Sequence, residues 1–402
     1  MEMKKETDLR KVFAVFYGDV KGNFLKSFEK AFDDFGKETA RRCDNGEKPV
    51  WARVFLSDII NQMPLIRERI DNISAQCAVS VIEQPPLKGG KIVIMACFLE
   101  NASVERLGND AWIISRGGER FIYQSLRFGK EDTRLSGGYE QTVEAFERHK
   151  KLLEPYGMTI EANTLRTWLF CRDIDRTYGG VVKGRNDFFA LNGLTADTHF
   201  IASTGIGGYT DSPEAVVGVD FLSRMDGSGE DVKYLQALDH LNPTAQYGVA
   251  FERGTSFSFG SHRVALISGT ASIDKFGKCI NTNNPEKQTE RLIENIGALL
   301  ADDAMTTADI GMIIVYLRDA ADKDVVESVV NRMIPGATAV FTHAKVCRPA
   351  WRGSRVRSGE IKHGKRNIIP NIKTKYNNNY YHEQIKDRHC SVFVRRSGQC
   401  MG

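Results

Sequence analysis

The sequence predicts an α+β fold made of three like units in tandem, and three observations carry that expectation. A strand-end signature recurs as Phe55-Leu-Ser-Asp58, Phe170-Cys-Arg-Asp173 and Tyr316-Leu-Arg-Asp319. Around each copy, the hydrophobic periodicity gives one repeated order: strand, helix, strand, helix, strand, strand. The chain has 402 residues, 42% of them hydrophobic, which is enough for real cores in two to four modest domains. The signature aspartates lie 115 and then 146 residues apart, and an insertion rich in Gly, Ser and charge near Ser223 to Ser261 accounts for the longer interval. Each unit should pack its helices on one face of a mixed sheet.

Unit one is assigned to residues 11–105. A strand over 12–17 leads to a helix whose one face carries Phe24, Leu25, Phe28, Phe32 and Phe35. A strand over 49–56, a helix over 60–73 and two strands over 78–83 and 91–98 follow, the last two joined by a Pro-Pro-Leu-Lys-Gly-Gly turn. Unit two, 110–225, reads as a strand over 120–128, a helix over 139–153 that ends before Pro155, a strand over 164–171, a helix over 177–191, and strands over 199–203 and 215–222. Residues 226–261 read as an insertion or linker. Unit three, 262–352, opens with a buried strand into the small-residue turn Ser268-Gly-Thr-Ala-Ser272. Its first helix is well signalled: Asn284 can cap, Pro285 suits the first helical position, and Leu292, Ile293, Ile296, Leu299 and Leu300 form the apolar face. A strand ending at Tyr316, a second helix and an apolar strand into Cys347-Arg-Pro349 complete it.

Charge and cysteine usage exclude several classes. Of the 55 Lys/Arg and 51 Asp/Glu, 12 and 3 fall in Arg352–Gly402, so the rest of the chain is net −5. That distribution argues against a nucleic-acid binder. No apolar run reaches membrane-spanning length, and the start lacks a signal-peptide core, so a cytoplasmic protein without a membrane partner is expected. The eight cysteines form no CxxC pair, and Cys77, Cys97 and Cys171 sit inside apolar strands, as in a reduced protein. His199, His240, His262 and His343 have no metal-ligand spacing, and no metal is expected.

The Ile267-Ser-Gly-Thr-Ala-Ser-Ile273 turn and its helix, Val315-Tyr-Leu-Arg-Asp319 and Ala344-Lys-Val-Cys-Arg-Pro349 resemble the RidA (YjgF) superfamily. Three such units on one chain resemble its chorismatase branch more narrowly. Leu165-Arg-Thr-Trp-Leu169, Lys183-Gly-Arg-Asn-Asp-Phe188, Ala202-Ser-Thr-Gly-Ile-Gly207, Gln246-Tyr-Gly248 and Phe251-Glu-Arg-Gly254 carry that narrower likeness. The resemblance implies an internal pseudo-trimer with helices outside and sheets lining a barrel-like core, monomeric or weakly self-associating. It also implies release of pyruvate from chorismate or a related small carboxylate, without cofactor. RidA-type imine or enamine hydrolysis is the alternative enzymatic reading, although the carboxylate-binding arginine of that pattern has no counterpart near Pro335-Gly-Ala-Thr-Ala339. A non-catalytic ligand-binding protein is the third, and whether the chain is an enzyme stays open.

A small carboxylate needs guanidinium donors in a water-poor cleft, because bidentate pairing fixes its orientation. Arg185 and Arg253 match arginines of the resembling segments, with structural ion pairing as the other reading. Tyr247 offers a hydroxyl from a loop-like insertion or a packed ring. Ser203 and Thr204 form a strand-end turn whose N–H groups can line a cleft. Gly269 and Thr270 allow two unit edges to approach, a tight turn being the favoured reading. Cys347 is read as a wall of the cleft, since no histidine is placed to activate it. In the resembling pattern a closing strand follows, with an acidic residue seven positions after the cysteine; here that position is Ser354. Residues 353–402 read as an irregular basic, disordered tail. A reading-frame slip just after Trp351 accounts for both oddities, because permitted codons for Arg352 to Ile361 read one base along as Val-Glu-Ala-Glu-Phe-Glu-Val-Ala-Lys.

Overall fold

The computed structural model describes residues 12–132, 135, 137–226, 231–347 and 389–397, with the backbone alone at 246, 247 and 389–397. The first sheet contains β1 (Phe13–Tyr17), β2 (Glu47–Leu56), β3 (Ala78–Glu83) and β4 (Ile92–Glu100), in the order β1-β4-β2-β3. Helix α1 (Phe24–Cys43) joins β1 to β2, and α2 (Ile59–Ser74) joins β2 to β3. β4 pairs antiparallel with β1 and β2, while β2 and β3 are parallel and therefore need a crossover, which α2 supplies.

The second sheet orders β5 (Ala102–Leu107), β6 (Ala111–Arg116), β7 (Glu119–Leu126), β8 (Thr164–Cys171), β9 (Ala202–Gly207) and β10 (Val217–Arg224) as β5-β6-β7-β10-β8-β9. Its helices are α3 (Gly138–Leu153), the short α4 (Ile160–Asn163) and α5 (Ile174–Leu191). The third sheet orders β11 (Lys233–Leu235), β12 (Gly254–Phe259), β13 (His262–Thr270), β14 (Ile310–Leu317), β15 (Thr338–His343) and β16 (His389–Ser397) as β11-β12-β13-β16-β14-β15. Its helices are α6 (Pro285–Ala301) and α7 (Lys323–Met333). Without the two added strands at one edge, the second and third sheets repeat the order of the first, including the single parallel pair at the far end.

Three assignments are corrected. Residues 226–261 are more than a linker: β11 and β12 extend the third sheet from within them. Gly254-Thr-Ser256 looks like loop sequence, yet it is buried against β13. β5, counted with unit one, belongs to the second sheet; half of its residues are exposed and only Ala102 is buried, so no apolar alternation announced it. Within 353–402, residues 389–397 form a strand, and β16 supplies the closing strand expected directly after Trp351. The remainder of 348–388, Ser354 included, lies outside the described residues.

The strand-end signature now has a physical meaning. Phe55, Phe170 and Tyr316 are fully buried in one core shared by all three sheets, whereas Leu56, Cys171 and Leu317 pack against each unit's own helices. Asp58 caps α2 by accepting from Asn61 N–H, and Asp319 accepts from Ala321 N–H ahead of α7. Asp173 instead takes a left-handed conformation (φ 45°) and accepts from the Tyr209 hydroxyl at 2.9 Å. The cap expected at Asn284 is present, accepting from Lys287 N–H.

The shared core is not wholly apolar. Asp220 of β10 accepts from Arg53 (2.7 Å), Tyr123 (2.8 Å) and Ser125 (3.0 Å), and pairs with Arg127 at 2.9 Å. Burial alone would raise this carboxyl, but Arg127 and Arg53 hold it below its ordinary value. Arg53, fully buried, lies 5.2 Å from the Trp51 ring and 5.0 Å from Trp168, so one guanidinium ties the first sheet to the second.

His149 of α3 is also fully buried, between Gln124 and Ser223 at 2.8 Å each, and burial pushes its pKa down to about 3. The unfolded chain therefore binds a proton that the folded chain refuses between about pH 6.5 and 3. Stability should fall as pH drops through that window, by about 1.4 kcal/mol per unit from this group. Denaturant titrations of wild type and His149→Gln from pH 7 to 4 check this. The variant should show the shallower acid slope, and equal slopes would refute the assignment.

Candidate active site

β9 ends the second sheet, and an open edge strand leaves a row of backbone groups unpaired. Segments of the third unit cover that edge on both halves. Ala202 bridges Glu252, Glu252 N–H donates to Ile201 O (3.1 Å), and Ser203 N–H donates to Ser268 Oγ (2.8 Å). Further along, Ile206 bridges Val346, and Gly207 N–H donates to Lys345 O at 2.7 Å. A Cβ on Gly207 would stand 2.8 Å from that carbonyl, and one on Gly205 would stand 2.6 Å from the Tyr178 ring. Glycine is needed at 207 for the two units to close on each other, and at 205 for α5 of the same unit to seat Tyr178 against β9.

Over this seam the structure gathers most of the residues singled out in the sequence. Arg185 of α5 and Arg253 are 2% and 5% exposed, and their guanidinium carbons lie 5.8 and 5.7 Å from the centre of the Phe251 ring. Arg253 donates to Asn242 O at 3.0 Å, and Asn186, next to Arg185, donates to Gly248 O at 2.9 Å. Cys347 is half-buried and shares a hydrogen bond with Tyr178, whose hydroxyl burial pushes well above its usual range. Cys171 is pushed up by burial too, so its environment does not resemble that of a nucleophile.

The side chains of Ser203 and Thr204 are engaged with the protein. Ser203 Oγ accepts from Thr167 (2.9 Å), and Thr204 Oγ1 accepts from Arg166 (2.5 Å). Both residues lie within β9 and not in the strand-end turn expected from the sequence; since Ser203 N–H is also taken, this stretch fixes the seam and does not present a row of donors. Burial, reinforced by Arg53, lowers Arg166 to about 9. Gly269 lies at the register shift between Ile267 and Thr270 where β13 meets β16, and Thr270 donates to Ser268 O at 3.0 Å. Tyr247 closes a short 3₁₀ turn (Thr244–Tyr247), and its side chain lies outside the described residues.

Beside Arg253 opens a cleft of about 120 Å³, lined among others by Thr198, His199, Asn242, Thr244 and Glu252. That space exceeds what a single buried water needs and suits a small polar ligand. Glu252 and His199 are acid–base groups of its lining; the sequence places neither in a site, His199 reading only as a histidine without metal-ligand spacing. Glu252 stood within a quoted segment, but its neighbours Glu161, His199 and Tyr234 come together only in the fold. Among the described residues there is no His/Cys/Asp/Glu group able to hold a metal, and no helix is long and apolar enough to cross a membrane.

No family model matches the chain, and no curated protein matches it. Among solved structures, a chorismatase is similar with a TM-score of 0.58 at 13% identity, covering 95% of this chain and 98% of its own. A putative endoribonuclease from Thermotoga maritima (13% identity, TM-score 0.26) covers 41% of this chain and 98% of its own. RidA from an Antarctic Psychrobacter covers 40% and 97% at 14% identity, with a TM-score of 0.25. The first of these likenesses extends over the whole described body and shows a shared fold.

Proposed function

We propose that the chain, sharing the fold of a chorismatase, is a chorismatase-like enzyme that releases pyruvate from chorismate or a related small carboxylate. The working cleft lies between the second and third of three units arranged as an internal pseudo-trimer. The repeated four-strand order and the common core support that arrangement. The observation that carries the functional reading is the convergence of two buried arginines, Arg185 and Arg253, on one aromatic ring beside a polar pocket. Two guanidinium groups in a water-poor cleft suit a ligand with two carboxylates. Cys347 stays part of the proposal as a wall of the cleft on the strength of the sequence resemblance. Tyr247 and Ser354 remain part of the proposal on the strength of the sequence resemblance alone.

Incubating the full chain with chorismate and following pyruvate through lactate dehydrogenase tests this directly. Pyruvate release is expected, and Arg185→Ala and Arg253→Ala should each weaken chorismate binding about 10- to 150-fold in calorimetry, the worth of one charged hydrogen bond. No binding and no pyruvate would sink the reading. Saturable binding without turnover would favour a ligand-binding protein.

A further inference from the structure

The first sheet ends on β1, and this edge is built unlike its counterparts. In the second and third sheets those counterparts are β7 and β13, each flanked by the strand just before it in the chain, β6 and β12. Ser125 N–H donates to Asp110 O at 2.7 Å and Ser268 N–H to Arg253 O at 2.9 Å, so both counterparts are bonded on their outer side. Val15 holds the register position of Ser125. It lies in line with Met95 and Arg53 across the first sheet, as Ser125 lies in line with Asp220 and Trp168 across the second. Among the described residues no strand flanks β1 on that side.

The ladder decides which backbone groups face outward. Phe98 N–H donates to Val12 O at 2.8 Å and Gly18 N–H to Ile92 O at 3.0 Å, so the even-numbered residues of β1 turn their backbone to β4. Bonded and non-bonded residues alternate in an antiparallel pair, which puts the N–H groups of Val15 and Tyr17 and the Val15 carbonyl on the outer edge. Ala14, Val15 and Tyr17 are half-buried. The Tyr17 carbonyl takes a long 3.4 Å bond from Lys30, whose nearer partner is Asp34 at 2.6 Å.

Open edges are ordinarily blunted by charge, proline or brevity. β5 carries Glu105 and Arg106, and β11 is three residues long with Lys233. β3, β9 and β15 are covered by a neighbouring unit, through Tyr209, Lys345 and Leu87. β1, Phe13-Ala-Val-Phe-Tyr17, has neither charge nor proline. The geometry points to this edge as a pairing surface for β1 of a second copy of the chain, antiparallel about a two-fold axis at Val15.

Two observations select a second copy as the occupant. The edge is self-complementary: Val15 meets its own counterpart, Phe13 and Tyr17 make the flanking aromatic pairs, and no like charges come together along the strand. The rival occupant is the start of the same chain. The hairpins before β7 and β13 turn on Gly117-Gly118 and Gly260-Ser261, with positive φ at all three glycines. Before β1 stands Arg10-Lys11 instead, and seven of residues 1–11 are charged, which suits neither such a turn nor an apolar edge.

Sedimentation equilibrium and amide exchange on the full chain, from low to high micromolar concentration, test this together. The mass should rise to that of two chains. The Val15 and Tyr17 amides should slow in step with it, while Phe16, turned to β4, stays unchanged. Val15→Pro removes the outward N–H and leaves the β4 ladder intact. It should weaken self-association by about 10- to 100-fold, the worth of the two symmetric bonds. A single-chain mass at every concentration overturns the inference: with fast Val15 exchange the edge stays bare, and with slow exchange residues 1–11 cover it. Doubling of the mass without slowing at Val15 places the interface elsewhere and overturns it too. So does a folded Val15→Pro variant that associates like wild type; if that variant fails to fold, the wild-type measurements decide.

Discussion

Ending the chain at Arg388 is expected to abolish cooperative folding of the third unit. β16 is not an edge strand: it lies between β13 and β14, with Ala265 opposite Val394 and Ile313 opposite Val392. Without it, β13 and β14 face each other across an unfilled gap, and both lose a full ladder. Each buried backbone group left unpaired costs about 1–3 kcal/mol, so a handful exceeds the roughly 5–15 kcal/mol that separates a folded domain from its unfolded state. Hydrogen exchange reads this out by segment. In the truncated chain, the amides of Arg263–Ile267 and Ile313–Tyr316 should lose protection, while β2, β4 and β8 keep theirs. Retained protection at Ile313 would refute the central placement of residues 389–397.

The second large effect belongs to Asp220. Asp220→Ala leaves Arg53 buried without its carboxylate and frees the hydroxyls of Tyr123 and Ser125 from their acceptor. Breaking such a buried pair from one side should cost about 3–5 kcal/mol, measured by urea unfolding. The paired replacement Arg53→Met with Asp220→Leu removes both charges and should recover most of that loss. A single variant within about 1 kcal/mol of wild type would show that the pair is worth no more than an exposed salt bridge.

Much of this fold was legible because local signals and tertiary needs agreed. The aromatic–Asp strand ends were visible since each carries a core ring and two of them, at Asp58 and Asp319, add a helix cap, and Asn284-Pro285 named the start of α6 outright. β5 and β12 were hidden for opposite reasons, one too exposed to alternate and the other a Gly-Thr-Ser run buried by what covers it. β16 was missed because Val392 and Val394 stand alone after a long basic stretch, and only β13 and β14 give them a register. In the site, Arg185 and Arg253 could be named from the sequence because they sit in recognisable segments. Glu252, His199 and Tyr178 could not, since their roles arise from neighbours that β9 and its covering segments bring together.

The late position of β16 also sets a timetable for the nascent chain. β13, α6, β14, α7 and β15 are all made before residues 344–388, and β16 comes after them. At about 5–20 residues per second, β14 waits roughly 4–14 s with one side open. During that interval the first two sheets can close, while the third offers two bare strands to any neighbouring chain. Expression level and chaperone supply should therefore govern the yield of this protein more strongly than the stability of the finished fold does.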